Sequence, residues 1–129
     1  MSKAKGARAE RELFHMFYAN GWQPIRVAGS GSATIPAPDL LVGNGSRVLA
    51  IECKSLKNDK KYVTKEQVKE LREFARRFGA EPWLGIRFDN KGWYFLKHED
   101  FKKSEKSFIM SLELARKKGL SFDDLIKNE

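Results

Sequence analysis

Apolar positions change their spacing from segment to segment along this chain, and each change predicts an element. Between Ala7 and about Ala19, Leu13, Phe14 and Phe17 recur at helical spacing, and Asn20-Gly21 marks the stop. Trp22 to Ala28 predicts a first strand interrupted by Arg26, and Gly29 to Pro38 a flexible loop. Leu40-Leu41-Val42 and Val48-Leu49-Ala50-Ile51 are unbroken apolar runs, the second reading as a strand covered on both faces. Gly43-Asn44-Gly45 turns one strand back on the other. After a lysine-rich polar connection, Thr64 caps a helix from Glu66 to about Phe78, with Gln67 as capping-box partner and Gly79 past its end. Val68, Leu71, Ala75 and Phe78 form its inward stripe, and Phe74 falls beside it as a core residue or a subunit contact. Pro82 to Phe88 and Trp93 to Leu96 predict a hairpin about Asp89-Asn90-Lys91-Gly92. The tail predicts a helix from about Ser107 to Lys118, stopped at Gly119, then a short helix capped by Ser121 with Asp124. The order argues an α/β fold: a central mixed β-sheet of about five strands flanked by helices.

Composition narrows the function. A chain of 129 residues with 41% hydrophobic and 12% aromatic residues suits one domain, residues 1–129, with a real core. Its formal charge of +8 points to an anionic partner, nucleic acid or an acidic membrane surface. One cysteine excludes an intrachain disulfide. The basic N-terminus lacks the apolar core of a signal peptide, and the longest uncharged stretches are short and broken by Gly and Pro. A cytoplasmic protein without a membrane span is expected. The Gly29 to Pro38 loop carries no Walker pattern, and no zinc-ligand spacing joins His15, His98 and Cys53.

The chemistry gathers between Pro38 and Lys54. Strand alternation puts Val48, Ala50, Glu52 and Lys54 on one face and Leu49, Ile51 and Cys53 on the other, so a core strand delivers an acid and an amine where it leaves the core. A tight hairpin would bring Asp39 near Glu52 and Lys54. Two carboxylates and a lysine at one sheet edge suit a hard cation such as Mg²⁺, which takes oxygen ligands and keeps several waters. Lys54 either pairs with Glu52 or orients a metal-activated water; both roles are compatible. Glu10 sits on the inward stripe of the first helix, with Arg26 as its partner or a cation beside the sheet as its target. The loop before Asp39 carries Ser30 and Ser32, whose hydroxyls can bond phosphate oxygens.

In this order the residues carry a resemblance. Pro38-Asp39 followed by Glu52-Cys53-Lys54 is similar to the signature of the PD-(D/E)XK nucleases. Together with Gly6-Ala7-Arg8-Ala9-Glu10-Arg11-Glu12-Leu13, the Arg26 to Ser32 segment, Phe74-Ala75-Arg76-Arg77-Phe78-Gly79 and Gly92-Trp93, it resembles the archaeal Holliday junction resolvases over roughly residues 6 to 96. The resemblance implies a restriction-endonuclease-like fold and a dimeric, Mg²⁺-dependent endonuclease, with Mn²⁺ as substitute, that nicks four-way DNA junctions. Glu10, Asp39 and Glu52 would be metal-site acids and Lys54 the catalytic lysine. Arg11 and Arg26 would meet DNA phosphates, Ser30 or Ser32 would lie near the scissile phosphate, and Phe74 and Phe78 would form the dimer contact. Lys3, Lys5, Arg8, Lys57, Lys60 and Lys61 extend the expected DNA-binding surface. The alternatives are a related nuclease of flaps or duplex DNA and a non-catalytic nucleic-acid-binding module.

Overall fold

The computed structural model describes residues 3–27, 35–57, 60–100, 102–103 and 107–127. Helix α1 (Lys3–Ala19) leads into β1 (Gln23–Arg26), β2 (Leu40–Gly43) and β3 (Val48–Leu56). Next come β4 (Lys60–Thr64), α2 (Lys65–Phe78) and the hairpin of β5 (Glu81–Phe88) and β6 (Gly92–Leu96). A 3-10 turn at His98–Asp100 precedes β7 (Lys102–Lys103), β8 (Ser107–Ser111), α3 (Leu112–Lys118) and α4 (Phe122–Lys127). Five strands form the expected mixed sheet in the order β1-β2-β3-β5-β6, with β3 and β5 parallel and the other pairs antiparallel. The parallel pair needs a crossover, which α2 provides.

Strand β3 is covered on both faces. Leu49 and Ile51 join Leu13, Phe17, Trp22 and Phe122 in the layer of α1 and α4, whereas Ala50 and Leu56 join Val68, Leu71, Ala75 and Met110 in the layer of α2. The α2 cap forms as the sequence predicts: Thr64 Oγ1 accepts from the Gln67 N–H at 3.0 Å, and Gln67 Oε1 accepts from the Thr64 N–H at 3.1 Å. Gly79 ends the helix at φ +81°. Arg47 clasps the far end of the sheet, donating from Nε and Nη2 to Glu81 at 2.8 and 2.9 Å and from Nη1 to the Leu125 carbonyl at 2.7 Å. No described helix is long and apolar enough to cross a membrane.

Three expectations are corrected. Ser107–Lys118 is not one helix, because Phe108 and Met110 are buried at period two and their strand pairs with both β4 and β7. Ser111 then caps α3 through the Leu114 N–H at 3.1 Å. The lysine-rich connection contains β4, which builds a second, three-stranded sheet in the order β4-β8-β7. Phe78 does not continue the buried stripe of α2: it is 56% exposed and stacks on the half-buried Phe74, ring centroids 5.5 Å apart.

Candidate active site

The site arises where β2 and β3 part. Strand β2 begins with Leu40 opposite Ile51, while β3 runs on to Leu56 against β5. From Glu52 onward the β2-facing edge of β3 has no ladder partner in the sheet, and its N–H groups need other acceptors. Asp39 meets that need. Its own N–H donates to the Ile51 carbonyl at 3.1 Å, so Asp39 and Leu40 both address Ile51, as in a β-bulge. Its carbonyl accepts from the Val27 N–H at 3.0 Å, on the β1 side. With the main chain fixed on both sides, Asp39 Oδ2 accepts from the Cys53 N–H at 2.8 Å. The carboxylate is thereby bound to the residue between Glu52 and Lys54, the convergence that the hairpin predicts.

Lys54 Nζ stands 3.7 Å from Glu52 Oε2, the two side chains being 15% and 24% exposed. Glu10 reaches in from α1 with its side chain 22% exposed, and its Oε1 accepts from Arg26 Nη2 at 3.2 Å. Both expected pairings therefore form, Glu52 with Lys54 and Glu10 with Arg26. The acids act on one another electrostatically. Burial raises the Asp39 carboxyl; the Cys53 amide pulls it down, and Glu10 adds to the rise. Burial and then the charge of Asp39 push Glu52 up to about 7, with Lys54 opposing and Glu10 reinforcing. Burial also pushes the Cys53 thiol up, with Asp39, Glu10 and Glu52 reinforcing and Lys54 opposing.

Among the described residues no three acidic, His or Cys side chains stand close enough together to enclose an ion. Glu10 is turned to Arg26, Glu52 to Lys54 and one Asp39 oxygen to Cys53. The donor set still fits a hard cation: Asp39 and Glu52 present carboxylate oxygens in a shielded gap, and their repulsion is what a divalent ion relieves.

The remaining candidates divide. Arg8, Arg11 and Lys57 are exposed, and no described contact carries them into the carboxylate cluster. Lys3 and Lys5 fall in α1 and Lys60 and Lys61 in β4, but their side chains lie outside the described residues. Ser30 and Ser32 lie wholly outside them. Phe74 and Phe78 line an open groove of about 470 Å³ with Ile35, Pro36 and the α2 side chains Lys69 and Arg77. A polar cluster that the sequence did not single out lies on the other side of α1. Glu12 Oε1 accepts from Trp93 Nε1 at 2.7 Å and from Arg87 Nε at 3.0 Å, and Arg87 also stands 3.7 Å from Asp89. Its signal was Ser55, which continues the alternation of β3 into the buried face one residue past Lys54.

Comparison with known proteins gives the chain's family and fold. A family model described as archaeal Holliday junction resolvase (Hjc) matches residues 1–129. Crossover junction endodeoxyribonuclease Hjc of Archaeoglobus fulgidus is 37% identical over 129 residues, covering 95% of each chain. The same enzyme of Sulfolobus acidocaldarius is 33% identical over 129 residues, covering 98% of this chain and 89% of its own. The solved structure of A. fulgidus Hjc, described as a Holliday junction resolvase from an archaeal hyperthermophile, superposes with a TM-score of 0.86 at 34% identity. That match covers 93% of this chain and 98% of the other. The shared fold is restriction-endonuclease-like.

Proposed function

The chain belongs to the archaeal Holliday junction resolvase family, and from that footing we propose that it is a Mg²⁺-dependent homodimeric endonuclease that nicks four-way DNA junctions in recombination and repair. The carrying observation is the Asp39 carboxylate bound to the Cys53 amide, which sets one acid against Glu52 and Lys54. Asp39 and Glu52 would hold the ion, with Glu10 as a third acid if it left Arg26, and Mn²⁺ would substitute because the donors are hard oxygens. A bound ion would polarise the phosphodiester and acidify an attacking water. Lys54 orients that water or neutralises charge developing on the phosphate. Glu52 keeps the ammonium in place until substrate arrives. Arg26, 38% exposed at the rim, and Arg11 meet flanking phosphates, and Ser30 or Ser32 approaches the scissile one.

Support for a dimer comes from Phe78, an aromatic ring left largely in solvent beside an apolar groove. A two-fold dimer offers two sites to a junction of near two-fold symmetry, so paired nicks on opposing strands follow. Selection would rest on backbone shape and bendability, as expected of a basic surface. The protein would work on chromosomal DNA in the cytoplasm.

The test uses purified protein with a labelled four-way junction and a matched linear duplex, with and without Mg²⁺. Metal-dependent paired nicks in the junction alone are expected. Asp39→Asn and Glu52→Gln should bind the junction without nicking it. Equal cleavage of the duplex would assign a broader flap or duplex nuclease, and full function in both variants would leave only a binding module.

A further inference from the structure

Helix α1 straddles β3. On one side Glu10 leans to Arg26 of β1; on the other Glu12 leans to Arg87 of β5 and Trp93 of β6. On that second side, away from the Asp39–Glu52 gap, lies a pocket of about 480 Å³ lined by Arg8, Glu12, Ser55, Lys57, Arg87 and Asp89. Ser55 pairs in register with Arg87 across the parallel ladder. It is the buried polar residue of the described chain, 4% exposed, and its Oγ has no hydrogen-bond partner. A buried hydroxyl in that state is destabilising, and an apolar side chain would serve the fold better. An acceptor that enters the pocket lined by Ser55 would satisfy it.

The charges say which ligand. Glu12 is taken up by Trp93 and Arg87, and Asp89 stands beside Arg87. Arg8 and Lys57 are exposed and form no ion pair among the described residues. The pocket thus offers two uncommitted cations and a spare hydroxyl donor, while its carboxylates are spoken for. That combination rejects a cation and suits a phosphate oxygen.

We propose that this pocket seats a backbone phosphate of the bound DNA, distinct from the phosphate that is cut, with the Ser55 hydroxyl donating to one oxygen and Arg8 and Lys57 neutralising the charge. The inference rests on the nuclease reading and deepens it: one helix, α1, would hold the same DNA at two points, by Glu10 at the metal site and by Arg8 at this pocket.

The test uses the full chain, a labelled junction and metal-free binding at several salt concentrations, alongside nicking in Mg²⁺. Ser55→Ala should fold as well as wild type, since it removes an unpaired hydroxyl, yet bind the junction about tenfold more weakly with an unchanged salt slope. Lys57→Gln should lower the slope of log K against log salt by about one. With single neutral methylphosphonates walked along the nicked strand, one position should weaken wild-type binding more than it weakens Ser55→Ala, which keeps Arg8 and Lys57 but has already lost the hydroxyl's bond. Wild-type affinity in Ser55→Ala, or no such position, would overturn the pocket while wild-type nicking still upheld the nuclease reading. A melting shift with inorganic phosphate that Ser55→Ala abolishes, without loss of DNA affinity, would mean a free-phosphate site and overturn it too. Wild type failing to nick the junction at all would instead remove the nuclease reading.

Discussion

Replacing Glu52 by glutamine should stabilise the metal-free protein, and by an amount that depends on pH. The unfolded carboxyl titrates near 4.5, whereas burial and Asp39 carry the folded one to about 7. Between those values the folded state binds more protons than the unfolded, so stability falls as pH rises through the window and the penalty is complete above it. A rise from 4.5 to about 7 corresponds to about 3 kcal/mol. The side chain is 24% exposed and shares its titration with Asp39, which reduces the expected effect to about 2 kcal/mol. Urea denaturation in EDTA, at fixed protein concentration, measures it. At pH 4.5 the variant and wild type should be nearly equal, and at pH 8 Glu52→Gln should be about 2 kcal/mol more stable. Saturating Mg²⁺ should restore wild type by about 2.7 kcal/mol at a hundredfold excess over its Kd and do little for the variant. Parallel pH profiles for the two proteins, or a variant weaker at pH 8, would refute the claim that crowded acids are a cost of this fold.

Other outcomes follow from single contacts. Asp39→Asn keeps an oxygen for the Cys53 N–H, so single-turnover nicking should fall about a thousandfold while gel-shift affinity for the junction holds. Asp39→Ala should also abolish the Mg²⁺-induced rise in melting temperature; an undiminished rise would locate the ion elsewhere. Phe78→Ala should weaken dimerisation at least thirtyfold, about 2 kcal/mol, in sedimentation equilibrium, because an anchor ring leaves the groove shared with Phe74. Arg47→Ala should cost about 2–4 kcal/mol in urea melts, since Glu81 loses both its bonds from the guanidinium, keeping only that from Trp83, and the Leu125 carbonyl loses its donor. Arg47→Lys should rescue little, because an ammonium cannot span those three acceptors.

Local signals made the first half of the site legible. Val48 to Lys54 reads as a two-faced strand from alternation alone, and Gly43-Asn44-Gly45 fixes the turn that returns Asp39 to it. The α2 boundaries were equally local, a capping box at Thr64 and a glycine at 79. What failed depended on distant pairing. Phe108 and Met110 alternate, but Leu112 and Ala115 continue the apolar pattern at helical spacing, and only β4 and β7 separate strand from helix. Ser55 was missed for the same reason: β3 extends past Lys54 because β5 runs alongside it, through the Ser55–Arg87 and Leu56–Phe88 pairs. Phe78 lies in the last turn of α2, where helical spacing predicts an inward side chain and the described chain supplies nothing to cover it.

Proline explains why the gap exists at all. Had β2 continued backward in register, residues 36–39 would have paired with Glu52 to Ser55 and sealed the β2-facing edge of β3. Pro36 and Pro38 have no N–H to give such a ladder. Pairing therefore stops at Leu40, and Asp39 is left at a bulge with its main chain divided between Val27 and Ile51. The amide of Cys53, deprived of a strand partner, captures the nearest acceptor, the Asp39 carboxylate. One unmade stretch of sheet thus aims the first acid, uncovers the second, and leaves a shielded space between them where negative charge is unwelcome until a cation enters.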